Sequence, residues 1–312
     1  MRIAVVGAGA IGRFFGAQLA RSGEEVTFVA RGETLRALQA DGLRLDTPEG
    51  AFDVGPVRAT DDAASVGPVD AIILGVKAWQ VPEAARAARP MVGPGTVVLP
   101  LQNGVEAADQ AAAEVGRDHV LGGLCHVIAV AAGPAGVRVQ AGLQPTVTFA
   151  ELDNRPSGRV DRLREVLGRA GVKAIVPADI QAALWSKFLF IAAFGGVGAV
   201  TRAPIGVVRQ MPGTRQMLVQ AMEEIAAVAR ARGVALDPEA VTAAMARLDG
   251  LAPASTPSMQ RDIMDGRPSE LDSQNGAVVR LGGQAGVHTP LHRFLYHALQ
   301  PSERRARGEI AF

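Results

Sequence analysis

The chain has 312 residues, 48% of them hydrophobic and 20% charged, with 32 Lys and Arg against 31 Asp and Glu. That length holds two domains with buried cores, the composition excludes a disordered chain, and a net charge of +1 gives no general pull toward nucleic acid or a membrane surface. The single cysteine, Cys125, rules out an intrachain disulfide and a cysteine-based metal site, reads as a small buried apolar residue, and points to a reducing cytoplasm.

Met1 to Gly7 lacks the longer apolar run and cleavage site of a signal peptide, and Ile3 to Val6 reads as a first strand. A helix from about Ile11 to Ser22 follows. Between strand and helix lies Gly7-Ala8-Gly9-Ala10-Ile11-Gly12, a G-x-G-x-x-G fingerprint in the strand-to-helix context that makes it specific. Gly7 permits the tight turn, Gly9 lets the backbone approach a pyrophosphate, and Gly12 lets the helix pack closely on the strand. The helix N-terminus offers N–H groups and partial positive charge to the anion. Glu25 to Ala30 is the second strand. It ends on Arg31, where an NAD site carries a carboxylate for the ribose 2′-hydroxyl; a guanidinium there suits a 2′-phosphate and predicts NADPH.

Ala71 to Val76 and Thr96 to Leu99 read as further buried parallel strands, with Pro82 to Arg89 as a crossover helix between them. Gln144 to Glu151 reads as a later strand and Ser157 to Ala170 as the helix that closes the domain. Long helical patterns then take over: Asp179 to Ala193, Gly213 to Gly233, Asp237 to Leu248 and Leu271 to Gly286. The expected class is therefore α/β, a Rossmann-type doubly wound sheet over residues 1–174 followed by an all-α domain over 175–312. No stretch of about 18 uninterrupted apolar residues predicts a membrane span; Phe188 to Val200 comes nearest and is too short and glycine-rich. The charged tail Ser302 to Arg307 reads as a solvated terminus. His288 and His292 have helical spacing but enclose Pro290 and lack a third ligand, so no metal is implied.

Three further motifs appear in order: Gly75-Val76-Lys77-Ala78-Trp79-Gln80, Leu101-Gln102-Asn103-Gly104-Val105-Glu106 and Leu184-Trp185-Ser186-Lys187-Phe188. With the glycine fingerprint they closely resemble the ketopantoate reductase (2-dehydropantoate 2-reductase) family over nearly the whole chain. The resemblance implies hydride transfer from NADPH to the carbonyl carbon of a small 2-oxo acid, with Lys187 as general acid. An ammonium suits that task because negative charge builds on the carbonyl oxygen. It also implies that Lys77 faces the cofactor and substrate cleft and that Asn103 hydrogen-bonds near the nicotinamide. Ser258 would bind the substrate carboxylate or hydroxyl, and Glu270 would contact substrate or orient Lys187. Monomer and homodimer both stay open.

The sequence also departs from the family. Where the lysine-bearing helix of the family continues with asparagines one and two turns on, Ile191 and Gly195 stand here. A substrate hydroxyl would lose its partners at a cost of about 1 to 3 kcal/mol each, so the reaction type stands while two substrate readings stay open: 2-dehydropantoate itself, or another, more apolar 2-oxo acid, carbonyl or imine. Arg202 is either a carboxylate clamp or a surface arginine before a proline turn. Two rival classes remain: an NADP-binding sensor without catalysis, opposed by the Lys77, Asn103, Lys187, Ser258 and Glu270 set, and a dehydrogenase of secondary amines or 3-hydroxy acids, opposed by the Leu-Trp-x-Lys motif.

Overall fold

The computed structural model describes residues 1–55 and 57–312. They divide into two compact units, residues 1–102 with 106–180, and residues 103–105 with 181–312.

The first unit opens with β1 (Arg2–Val6), α1 (Ala10–Arg21), β2 (Glu25–Val29) and α2 (Gly32–Ala40), then β3 (Leu43–Thr47), β4 (Gly50–Val54), β5 (Arg58–Thr60) and β6 (Val69–Leu74). It continues with α3 (Val81–Ala88), β7 (Val92–Pro100), α4 (Ala107–Val115), β8 (Leu121–His126), β9 (Ala129–Ala132), β10 (Gly136–Val139), β11 (Thr146–Glu151), α5 (Gly158–Arg169) and β12 (Lys173–Ile175). Among the described residues the central sheet has the order β5-β2-β1-β6-β7, and every pairing in it is parallel. Ile3, Ala4, Val5 and Val6 on β1 and Ala71, Ile72, Ile73 and Leu74 on β6 are all buried, as expected of strands covered on both faces.

Around this sheet stand two smaller ones, β4-β3-β10-β9 and β12-β11-β8. The α/β class with its parallel sheet is thus as expected, while α2, α4, the three-residue strands β5 and β12, and the strands β3, β4, β8, β9 and β10 have no counterpart among the expected elements. Those strands are three to six residues long, and β3 finds its parallel partner β10 about ninety positions further along the chain. Cys125 is buried on β8.

The second unit contains α6 (Ile180–Thr201) from Gln181 onward, α7 (Ile205–Gln210), α8 (Pro212–Ala231), α9 (Ala240–Asp249), α10 (Ser258–Met264), a π-helical turn at Asp272–Gly276, α11 (Ala277–Gln284) and α12 (Pro290–Ala306). α6 runs on past Ala193 through its glycines, and at 22 residues with mean hydropathy 1.6 it is long and apolar enough to cross a membrane. It is instead a core helix, with Phe188, Leu189, Ala192, Ala193 and Val197 fully buried. The helix survives its glycines because polar side chains pack where their Cβ atoms would be: Asn275 against Gly196 and Gln260 against Gly198.

The charged tail is not a solvated terminus. Ser302 to Ala306 lies within α12 rather than in a solvated terminus, and Glu303 is buried there, accepting hydrogen bonds from the backbone N–H of Ser269 at 3.0 and 3.1 Å and from Arg307 Nε at 2.7 Å.

His292, fully buried on α12, bonds Glu224 Oε2 through Nδ1 at 2.9 Å. Burial holds the imidazole below its ordinary value of 6.5 in spite of that carboxylate, and the hydrogen bonds from His292 and Leu291 outweigh burial to hold Glu224 below 4.5. Both folded pKa values lie below the unfolded ones, so the unfolded chain takes up protons first and stability falls as pH drops below about 6.5. The His292 contribution has a limiting slope of about 1.4 kcal/mol per pH unit. Urea unfolding at pH values above and below that point should show the loss, and His292→Gln should flatten it; an unchanged slope in the variant would remove His292 from the account.

Candidate active site

Gly7 follows β1 directly with φ +93, a conformation in which a side chain is strained, and a Cβ there would lie 2.4 Å from Val76 Cγ1. A Cβ on Gly12 would lie 2.1 Å from the carbonyl oxygen of Gly7, so helix α1 can pack this tightly on the turn only with glycine at that position. Gly9 is the N-cap of α1 and supplies no capping side chain; Ala10 and Ile11 open the first turn, and the N–H groups there lack an intrahelical acceptor. Ala8 is buried while Gly9 is exposed. An exposed, uncapped turn of this kind fits a dinucleotide diphosphate, which would take those N–H groups as donors.

Arg31 is the N-cap of α2, directly beyond β2, and its exposed guanidinium pairs with Glu83 at 3.2 Å. Lys77 follows β6 and caps the short turn Ala78–Gln80; its Nζ lies 5.8 Å from the centre of the Trp79 ring. Beside it, Gln102 is buried and donates to the carbonyls of Leu74 at 2.7 Å and Val76 at 3.0 Å, clasping the strand end that leads to Lys77. That clasp had no sequence signal beyond its place in Gln102-Asn103-Gly104.

In the second unit Asn103 donates through Nδ2 to Glu270 Oε2 at 3.0 Å, a contact that spans 167 positions. Glu270 is buried, and Gln274 Nε2 approaches the same oxygen at 3.4 Å. Buried Ser269, beside Glu270, is fastened to Glu303. The carboxylate is therefore held at one oxygen by two amides and set beside a pinned backbone, a placement that restricts where it can point. Asn103 and Glu270 stand in the motifs that mark them in the sequence, whereas Gln274 and Glu303 carry no such mark.

Lys187 lies on α6 and is half-buried, with Ile191 and Gly195 one and two turns further along the same helix face. A Cβ at Gly195 would lie 2.9 Å from Met259 Cε and 3.2 Å from Gln274 Oε1, so these two side chains occupy the place beside the helix that residue 195 leaves empty. Gln274 Oε1 is buried with no hydrogen-bond partner. Ser258, next to Met259, is exposed as the first residue of α10. Arg202 is exposed just beyond α6 with φ +55, and its N–H closes the helix on the carbonyl of Gly198 at 2.8 Å. Lys187, Asn103 and Glu270 thus share the second unit, while the glycine turn, Arg31 and Lys77 belong to the first.

The family profile described as ketopantoate reductase PanE/ApbA matches residues 3–154, and its C-terminal counterpart matches residues 179–303. The chain belongs to the ketopantoate reductase family. A 2-dehydropantoate 2-reductase of Mesorhizobium japonicum is 30% identical, with 93% of this chain and 94% of that protein covered. The crystal structure of a PanE/ApbA family ketopantoate reductase from Ralstonia eutropha superimposes with a TM-score of 0.89 at 31% identity, covering 98% of this chain and 100% of that one. D-mandelate dehydrogenase in a ternary structure with NADH and anilino(oxo)acetate gives the same TM-score at 25% identity, covering 98% and 99%. The protein is accordingly an oxidoreductase of the ketopantoate reductase kind, in a family whose reaction is reduction of 2-oxo acids with a nicotinamide dinucleotide.

Proposed function

We propose that the protein reduces a 2-oxo acid with an apolar substituent to the 2-hydroxy acid in the cytoplasm, using NADPH, with Lys187 as general acid. The observation that carries the substrate reading is the α6 face on which Lys187 is followed by Ile191 and Gly195, with the methyl of Met259 where a longer side chain at 195 would stand. A wall of this kind favours an alkyl or aryl substituent and leaves a substrate hydroxyl short of partners, at about 1 to 3 kcal/mol per unmade bond. The likeness to D-mandelate dehydrogenase supports the same choice.

The nicotinamide supplies the hydride. Lys187 meets the negative charge that builds on the substrate's carbonyl oxygen and donates the proton to it. Glu270, steadied by Asn103 and Gln274, orients the ammonium and contacts the substrate. Ser258 and Arg202 are assigned to the substrate carboxylate, and Lys77 and Asn103 to the cofactor and substrate. The first-turn N–H groups of α1 take the diphosphate and Arg31 the 2′-phosphate.

A specific observation favours a second substrate, 2-dehydropantoate: the unpartnered Gln274 Oε1 brings an amide acceptor to the place that Gly195 leaves open. Steady-state oxidation of NADPH with 2-dehydropantoate and with 2-oxo acids carrying alkyl or aryl side chains separates the two. A higher kcat/KM for the alkyl and aryl acids is expected; a preference for 2-dehydropantoate would move the assignment to the second substrate.

The cofactor assignment has its own test. Arg31→Ala should lower the preference for NADPH over NADH by about tenfold to a hundredfold, the worth of a charge-assisted phosphate contact. An unchanged ratio of kcat/KM for the two cofactors would leave Arg31 as a surface partner of Glu83 only.

A further inference from the structure

Arg13 stands in the first turn of α1, one residue beyond the glycine fingerprint, and it is buried with 6% of its surface exposed. Its guanidinium makes three hydrogen bonds, all to backbone carbonyls: Nε donates to Ala8 at 2.7 Å, and Nη1 donates to Gly133 at 2.7 Å and to Gly136 at 2.6 Å. Among the described residues no carboxylate pairs with it. A guanidinium remains charged in proteins, so a buried positive charge here is balanced only by carbonyl dipoles.

The bond to Ala8 has a geometric consequence. In a planar trans peptide the C=O and the following N–H point in opposite directions, and among the described residues there is no cis peptide. Holding the Ala8 carbonyl against Arg13 therefore turns the Gly9 N–H away from Arg13. The same side chain ties that peptide to the β9–β10 hairpin, through Gly133 in its turn and Gly136 at the start of β10.

We infer that Arg13 is a positioning residue of the dinucleotide site: it fixes the Ala8–Gly9 peptide so that the Gly9 N–H is presented to the diphosphate, and it places a buried positive charge behind that turn. The inference rests on the proposed use of NADPH, and it extends the site to a residue outside the G-x-G-x-x-G pattern. A buried cation without an anionic partner is favoured where an anion arrives, and the first turn of α1 is where the diphosphate is assigned.

The test measures dissociation constants of the full-length protein for NADPH and for adenosine 2′-monophosphate, which has the 2′-phosphate but no diphosphate, across a range of salt concentrations. Arg13→Met should weaken NADPH by about tenfold or more and flatten its salt dependence, while adenosine 2′-monophosphate changes by less than about twofold. Arg13→Lys keeps the charge and loses the fork, so it should keep the salt dependence and recover part of the affinity. If Arg13→Met does not fold, Arg13→Lys carries the test through the same ratio of the two ligands. Equal weakening of both ligands, or an NADPH affinity within about twofold of wild type, would overturn the inference and leave Arg13 as a staple between α1 and the β9–β10 hairpin. Failure of wild-type protein to bind NADPH would instead overturn the cofactor assignment.

Discussion

Lys187→Ala is expected to lower kcat for 2-oxo acid reduction by about 10²- to 10⁴-fold, the usual worth of a positioned general acid. The side chain is half-buried on α6, whose flanking residues Trp185, Phe188 and Leu189 are locked into the core of the second unit, so the Cα of residue 187 is held by packing that the substitution does not touch. Trp185 and Phe188 meet edge to face with ring centres 5.6 Å apart, which fixes the helix rotation that sets the direction of residue 187. The fold should therefore survive while the chemical step fails. Thermal unfolding close to that of wild type, together with a collapsed rate at saturating NADPH and substrate, is the expected pair of results. A rate within about threefold of wild type would remove Lys187 from the chemistry. Glu270→Gln should give a smaller loss, because it keeps the shape that meets Asn103 and Gln274 while removing the charge.

The second large effect is expected at Gly12. A Cβ there would meet the Gly7 carbonyl oxygen at 2.1 Å and Val5 Cγ1 at 3.1 Å, and the first of these is backbone in a turn that has no slack. Gly12→Ala must push α1 away from β1, at a cost of about 1 to 3 kcal/mol or more, and the displaced helix takes the first-turn N–H groups with it. Loss of measurable NADPH binding with a lowered unfolding midpoint is expected. Gly9→Ala offers the comparison, since a Cβ there would come no closer than 3.3 Å, to the Gly75 carbonyl; it should fold almost as well as wild type and lose affinity for the dinucleotide. Equal stability losses at the two positions would mean that the close approach of helix and turn is not what Gly12 provides.

The elements that were legible from sequence are those whose burial is written locally. β1, β6 and the second half of β7 have apolar runs buried on both sides, β2 alternates with Val26 and Phe28 buried, and α8 and α9 carry ordinary helix starts and stops. The second and third sheets were not legible, because a strand such as β3, Leu43–Thr47, owes its place to a parallel partner at Gly136–Val139 rather than to its own pattern. The sequence pattern of α6 predicts an end near its glycines, which normally weaken helices; the helix continues because Gln260, Gln274 and Asn275 pack where those residues lack side chains. Within the site, Lys187, Glu270 and Asn103 stood in motifs. Arg13 and Glu303 did not, since an arginine in a helix's first turn and a glutamate in a charged tail carry no local mark of burial. Both are buried through contacts with segments far away in sequence, Gly133 and Gly136 for Arg13 and Ser269 for Glu303.

The central claim is that this chain reduces 2-oxo acids with NADPH through Lys187. The most direct measurement is NADPH oxidation, followed by absorbance, with a panel of 2-oxo acids and with wild type and Lys187→Ala assayed side by side. Turnover of at least one 2-oxo acid by wild type, with most of the rate lost in the variant, is the predicted result. NADPH binding without turnover of any 2-oxo acid in the panel would contradict it and leave a dinucleotide-binding protein without the proposed catalysis.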